Sequence, residues 1–184
     1  MRVISGAQKG VRLSKIKGSS IRPTSDRTKE LIFNVISNHI KDSLVLDIFA
    51  GSGSLGIEAL SRGAAKAIFV EINKHALRVL RNNLEKTGFT DRANILNDSA
   101  DIAMKKLAMS ALKFDLIFAD PPYVKNLGVW TVKAVEKSNL LRKGGILLIE
   151  HSFKDGLKYS SDKILLKSCK CIGDSAVSFF QYVE

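Results

Sequence analysis

The sequence is poor in cysteine and in long apolar runs, and each shortage excludes a class of protein. Its 184 residues include two cysteines, Cys169 and Cys171, too few for a disulfide scaffold or a four-cysteine metal centre. They lie two apart in a strand-like stretch, so we expect reduced structural thiols on one face. No apolar stretch approaches the roughly 20 residues that span a bilayer, and the first residues lack the apolar core of a signal peptide. We therefore expect a soluble, cytoplasmic, single-domain protein without a metal site or a membrane partner.

Acidic residues are also scarce relative to basic ones. Lysine and arginine exceed aspartate and glutamate by 29 − 18 = 11, and residues 1–30 hold eight basic against two acidic residues, a net of 8 − 2 = +6. Over half of the excess thus lies in the first sixth of the chain. This segment is either a solvated basic face or a phosphate-binding surface for nucleic acid. Charge alone leaves both interpretations open.

Strand-like and helix-like patterns alternate along the chain. Residues 2–5 and 11–16 are short alternating runs around Gly6 and Gly10, which predicts a small hairpin. A helix is expected after Pro23, with Ser25 or Asp26 as its N-cap. Apolar strands are then predicted at 44–48, 67–71, 94–96, 114–119 and 146–150, with helices at 54–62, 74–86 and 129–138. Strands with little polar alternation, each followed by a helix, indicate an α/β fold with a doubly wound, mostly parallel sheet.

The first long strand runs into a glycine-rich turn. Gly51, Gly53 and Gly56 form G-x-G-x-x-G between a strand and a helix, where glycine allows a tight turn and the close approach of a cofactor. Glu71 ends the next strand, 20 residues after Gly51, and its carboxylate could accept both hydroxyls of a ribose. This pair fits NAD and S-adenosylmethionine equally well.

Acidic residues at the strand ends favour the second cofactor. Asp47 lies just before the glycine turn, and Asp98 follows the third strand. Together with Glu71 they would repel a pyrophosphate, whereas they suit a cationic sulfonium that also carries an amino group. An NAD oxidoreductase is further disfavoured because no histidine is evident for hydride transfer.

The fourth strand stops at Asp120-Pro121-Pro122-Tyr123. A residue that precedes proline is held extended, and proline has no N–H, so the segment presents acceptors until Tyr123. The Asp120 carboxylate and the Pro121 carbonyl could accept both hydrogens of an exocyclic amino group, while Tyr123 stacks on the base. That geometry would direct the nitrogen lone pair at the methyl group of the sulfonium. The segment therefore predicts amine methylation.

At this point the sequence resembles the RsmD-type rRNA guanine-N2 methyltransferases over almost its whole length. The shared stretches include residues 2–6, Lys9-Gly10, 21–27 with Phe33-Asn34, 46–53, 58–64 and the Asp-Pro-Pro-Tyr tetrad. The Arg-Pro-Thr stretch with Phe-Asn downstream is the most specific of these. One departure is Ile172-Gly173, where the family tends to have Tyr-Gly.

The resemblance implies methyl transfer from S-adenosylmethionine to the 2-amino group of one guanine in small-subunit (16S) rRNA. The expected substrate is a 30S particle or assembly intermediate, and the expected protein is a monomer with a basic hairpin arm (1–20) and a catalytic core (21–184). The implied catalytic residues are Asp120, Pro121, Pro122 and Tyr123. The implied cofactor-binding residues are Asp47, Phe49, Ala50, Gly51, Gly53, Glu71, Ile72, Asp98 and Ser99. The implied substrate-binding residues are Arg2, Lys9, Arg12, Arg22, Pro23 and Thr24.

Two further functions stay open. Adenine-N6 methyltransferases of DNA or RNA carry the same tetrad, although a DNA enzyme usually needs a recognition domain for which 184 residues leave little room. A catalytically inactive rRNA-binding assembly factor is the other. The intact glycines, acids and tetrad count against it.

Overall fold

A seven-stranded mixed sheet organises the protein. The computed structural model describes residues 1–16, 25–122 and 126–184. Its helices are α1 (Asp26–Val35), α2 (Ser54–Ser61), α3 (Lys74–Thr87), α4 (Ala100–Met109) and α5 (Leu127–Lys137). Its strands are β1 (Leu44–Asp47), β2 (Lys66–Val70), β3 (Ala93–Leu96), β4 (Phe114–Ala119), β5 (Leu141–Ser152), β6 (Ile164–Ile172) and β7 (Ser175–Tyr182).

The strand order is β3-β2-β1-β4-β5-β7-β6. Strands β1 to β5 pair in parallel, and β7 runs antiparallel to both β5 and β6. The order reverses between β1 and β4, the place where doubly wound sheets bind ligands at the carboxyl ends of their strands. This is the Rossmann-like methyltransferase fold, and it confirms the predicted α/β class with a doubly wound, mostly parallel sheet.

An apolar core covers each face of the sheet. The first contains Phe33 of α1, Leu60 of α2 and Leu80 of α3, together with Val3 and Leu13 from the N-terminal segment. The second holds residues from α4 and α5. We call these sides the α1–α3 face and the α4–α5 face. The N-terminal segment, residues 1–16, is therefore part of the α1–α3 face.

The predicted hairpin is only partly correct. Arg2 and Arg12 form a single antiparallel bridge, and the Val3 N–H donates to the Val11 carbonyl at 3.0 Å. No longer ladder forms, because Val3 and Leu13 turn into the core while the backbone of the segment bonds to neighbouring helices. The segment is thus a docked layer and does not project as an arm.

Smaller differences from the predictions have local causes. Helix α5 begins at Leu127, two residues early, after Asn126 takes a left-handed conformation, and β5 extends to twelve residues because β7 pairs along its second half. Ser25 caps α1, accepting from the Thr28 N–H, as one of the two alternatives predicted. Both cysteines are free, as expected, and both are exposed on β6. No helix within the described ranges is long and apolar enough to cross a membrane.

Candidate active site

Three acidic residues lie at the carboxyl ends of neighbouring strands, where the strand order reverses. Asp47, the last residue of β1, is paired with Phe69 of β2 on one side and Phe118 of β4 on the other. Glu71 and Asp120 lie two residues beyond those partners, and alternate residues of a strand point to the same face. Since Phe69 and Phe118 belong to the first core, all three acids belong to the α1–α3 face, around the glycine loop.

Burial changes the chemistry of Asp47. Its side chain is almost fully buried, and Oδ2 accepts the Gly56 N–H at 3.1 Å. Burial raises the pKa of this carboxyl from 3.8 to about 7, and the nearby Glu71 adds to the rise, although the Gly56 bond opposes it. A cation placed next to Asp47 would therefore favour its ionised form.

The glycines of the loop are required by space as well as by conformation. Gly53 has a φ of +80°, and a Cβ there would lie 2.3 Å from Cδ1 of Leu80. A Cβ on Gly56 would lie 2.3 Å from the ring of Phe69, so this glycine lets α2 pack closely on β2. Gly53 thus permits the left-handed turn before α2, and Gly56 permits the close packing of α2 on β2.

Glu71 holds the glycine loop from the end of β2. Its Oε2 accepts the Gly51 N–H at 2.8 Å, and its Oε1 accepts the Asn73 N–H at 2.7 Å. The next residue, Ile72, is 65% exposed, unusual for a large apolar side chain beside a strand end. Glu71 and Ile72 thus place a carboxylate and an apolar surface together, as a nucleoside requires.

The other predicted cofactor residues have structural partners. Ala50 donates its N–H to the Val70 carbonyl at 3.0 Å, and Phe49 packs on the second core. The Asp98 carboxylate pairs with Lys106 Nζ at 2.9 Å, while Ser99 caps α4. The contacts predicted for Asp98 and Ser99 with an adenine stay predictions.

The tetrad begins at the end of β4, beside the glycine loop. Asp120 is half-buried, Pro121 is buried and Pro122 is exposed. The Ile48 N–H donates to the Phe118 carbonyl at 2.9 Å, which holds the ends of β1 and β4 together. The remaining predicted residues Tyr123, Arg22, Pro23 and Thr24 lie outside the described residues.

The predicted N-terminal RNA contacts are all at the surface. Arg2 pairs with Asp26 at 3.3 Å while two thirds of its side chain stays exposed. Lys9 and Arg12 are exposed as well.

Comparison with known proteins identifies the family of this chain. The model of the family described as "Conserved hypothetical protein 95" matches residues 1–181. The "Ribosomal RNA small subunit methyltransferase D" of Escherichia coli K12 is 33% identical over 181 residues, 98% of this chain and 89% of that protein. The protein of the same name from Haemophilus influenzae is 36% identical over 151 residues, 82% and 78% of the two chains. The chain belongs to this RsmD family. A solved structure, that of a hypothetical protein of Thermus thermophilus, superposes with a TM-score of 0.84 at 26% identity, covering 100% of this chain and 99% of that one.

Membership and fold make the protein a methyltransferase that uses S-adenosylmethionine. The residues at the carboxyl ends of β1 and β2 fit that cofactor. Glu71 suits the ribose, the exposed Ile72 offers an apolar surface beside it, and the carboxylate of Asp47 suits the positive charge of the amino and sulfonium groups. These individual assignments stay predictions.

Sequence reasoning missed a buried ionic network that joins the N-terminal segment to α2. Glu58 is fully buried; its carboxylate accepts the Ile4 N–H at 2.8 Å, the Ser5 N–H at 3.0 Å and Arg62 Nε at 2.8 Å. Lys29 of α1, also fully buried, lies 3.4 Å from Glu58 and donates to the Arg2 carbonyl. Burial lowers the pKa of Lys29, although Glu58 opposes the shift. The only sequence signal was a glutamate inside an otherwise apolar and small-residue helix.

A second missed residue, Asn83 of α3, joins the N-terminal segment to the glycine loop. Its Nδ2 donates to the Ser14 carbonyl at 3.1 Å and to the Ser52 carbonyl at 2.9 Å, and its Oδ1 accepts the Ser14 N–H at 2.7 Å. Asn83 is fully buried, so this amide is fixed between the two segments. Asn83 thus connects the glycine loop, which is predicted to hold the cofactor, to the N-terminal segment, which is predicted to bind RNA.

Proposed function

We propose that the protein methylates the exocyclic 2-amino group of a specific guanine in small-subunit (16S) rRNA. The observation that carries the proposal is the position of Asp120, Pro121 and Pro122 at the carboxyl end of β4, next to the glycine loop of β1. An amino group held there would face the methyl group of a cofactor bound over β1 and β2. The names of the curated relatives support RNA of the small subunit as the substrate.

The reaction needs orientation more than it needs a base. The cofactor supplies an electrophilic methyl group on a sulfonium. The Asp120 carboxylate and the Pro121 carbonyl accept the two amine hydrogens, which keeps the nitrogen lone pair available for attack. As the new N–C bond forms, the bond between the methyl group and sulfur would break, and the methylated nitrogen would release its proton to solvent, so Asp120 acts by position and charge. Tyr123 provides the stacking surface for a base that has left its helix.

The binding surface in this proposal consists of exposed cations and the segment before α1. Arg2, Lys9 and Arg12 would contact RNA phosphates, which accounts for their exposure on the α1–α3 face. Arg22, Pro23 and Thr24 would lie near the target nucleotide. The protein would act in the cytoplasm as a monomer on a 30S particle or an assembly intermediate.

The test is methylation with labelled S-adenosylmethionine, followed by nucleoside analysis. Naked small-subunit rRNA, 30S particles and DNA are offered to the wild type, and N2-methylguanosine is the expected product. N6-methyladenosine would instead identify the adenine enzyme, and binding without product would identify an assembly factor. Either result refutes the proposal.

Three substitutions then test the tetrad. Asp120→Ala removes one of two acceptors for the amine, and kcat should fall by about 10²- to 10³-fold, as for loss of one preorganised electrostatic group. RNA and cofactor affinity should hardly change. Tyr123→Phe keeps the ring and should be mild, whereas Tyr123→Ala loses stacking of about 1–3 kcal/mol. Near-normal guanine methylation by Asp120→Ala would show that the segment is only a turn.

A further inference from the structure

Some cations at the surface of the protein are paired with carboxylates and others are not. Lys105 of α4 pairs with Asp101 at 2.7 Å, and Arg142 of β5 pairs with Asp115 of β4 at 3.0 Å. On α3 the situation is different. Within the described ranges, no ion pair involves Arg78 or Arg81. Their charge is available to an anionic partner.

Helix α3 presents these cations as an exposed stripe. Leu77, Leu80 and Leu84 face the core, whereas Arg78 and Arg81, three residues apart, are exposed. Residues three apart on a helix are neighbours on its surface. The helix as a whole carries four cations (Lys74, Arg78, Arg81 and Lys86) against the single carboxylate of Glu85.

The N-terminal segment continues this stripe. Ser14 Oγ accepts from Asn82 Nδ2 at 3.1 Å and from Lys86 Nζ at 2.8 Å, and Asn83 holds the Ser14 backbone. Lys15, the next residue, is exposed and therefore borders α3. We call Lys15, Arg78, Arg81 and Lys86 the α3 surface. The α3 surface is continuous with the N-terminal segment, which carries Arg12. Because α3 begins three residues after Glu71, the helix starts at the carboxyl end of β2, next to the candidate active site.

We propose that the α3 surface binds the phosphate backbone of the substrate RNA. This inference rests on the proposed function and extends its RNA contacts from the N-terminal segment to a helix of the methyltransferase core. Arginine suits the role because its planar guanidinium donates two parallel hydrogen bonds to one phosphate. The target base would enter at β4 while the adjoining strand of RNA follows α3.

A charge-matched pair of variants tests the α3 surface. Arg78→Gln with Arg81→Gln removes two charges from it, and Lys137→Gln with Lys143→Gln removes two exposed charges elsewhere. Binding of a fluorescent transcript of small-subunit rRNA is measured by anisotropy over a range of salt concentrations. The slope of log K against log salt is negative, and each lost phosphate contact should reduce its magnitude by roughly 0.7–0.9. The arginine pair should therefore reduce the magnitude by about 1.4–1.8. The lysine pair should leave the slope unchanged.

Further readouts separate RNA contact from damage to the fold. For the arginine pair we expect a raised KM for RNA, an unchanged kcat at saturating RNA and an unchanged affinity for S-adenosylhomocysteine. If the wild type is active and the arginine pair shows the same salt slope as the lysine pair, the inference is overturned. A wild type that methylates no guanine in RNA overturns the proposed function instead.

Discussion

The buried pair Lys29–Glu58 should respond unequally to removal of its two members. Glu58→Gln leaves the Lys29 ammonium in a fully buried position without its counter-charge and places an amide NH2 among donors. Lys29→Met leaves Glu58 with Arg62 and with the N–H groups of Ile4 and Ser5. Burial already lowers the pKa of Lys29, and the neighbouring Glu58 opposes that shift, so the Lys29 charge depends on this carboxylate. We therefore expect Glu58→Gln to be the more destabilising substitution.

The expected magnitudes follow from the number of partners lost. Removing one member of a buried pair and leaving the other charge uncompensated costs about 3–5 kcal/mol. For a chain of this length each kcal/mol lowers the Tm by about 2–4 °C, so Glu58→Gln should lower it by about 6–20 °C. Lys29→Met replaces a straight side chain by an apolar one of similar volume and loses mainly the bond to the Arg2 carbonyl, which costs about 0.5–1.5 kcal/mol.

Chemical denaturation and hydrogen exchange measure the two effects. The free energy of unfolding gives the order of the variants, with Glu85→Gln on the exposed side of α3 as a control that should change it by less than about 0.5 kcal/mol. Exchange at the Ile4 and Ser5 amides should accelerate in Glu58→Gln and much less in Lys29→Met. If Lys29→Met destabilises the protein as much as Glu58→Gln, Glu58 is not the centre of this network.

Two other predictions concern the glycine loop. Because the pKa of Asp47 is raised to about 7, the folded protein should keep a proton between about pH 4 and 7 that the unfolded chain releases, and the contribution of this group to stability should fall as pH rises through that range. The difference in unfolding free energy between wild type and Asp47→Asn, measured by urea titration without cofactor, should therefore vary with pH. A constant difference would contradict the raised pKa. Asn83→Asp places a carboxylate against the Ser14 and Ser52 carbonyls and should destabilise the protein by about 1–3 kcal/mol. It should also weaken the binding of S-adenosylhomocysteine measured by calorimetry. The control Asn82→Asp, at the exposed neighbouring position, should have neither effect.

The sequence was sufficient for features that depend on local pattern. Strands without polar alternation predicted a parallel sheet, and the spacing of Gly51, Gly53 and Gly56 predicted a turn between β1 and α2. The structure adds the reason for Gly56, which is contact with Phe69.

Long-range polar contacts could not be predicted in the same way. Glu58 lies 53 and 54 residues from the amides that it accepts, and Asn83 lies 69 residues from Ser14. Neither contact leaves a periodic signal, because backbone N–H groups occur at every residue and any of them could be the partner. The basic character of residues 1–30 was visible, but the apolar anchors Val3 and Leu13 were interpreted as ordinary strand residues of a hairpin.

Docking of the N-terminal segment changes how its role in RNA binding can be examined. Deletion of residues 1–18 would remove Val3 and Leu13 from the core and would take away the backbone partners of Glu58 and Asn83 in this segment. The expected loss of RNA affinity would then be accompanied by a looser glycine loop, because Asn83 also holds the Ser52 carbonyl. A fall in cofactor affinity after deletion would therefore say nothing about where RNA binds. Neutralising exposed cations one at a time, with the backbone contacts intact, separates the two effects, because only phosphate contacts contribute to the salt slope.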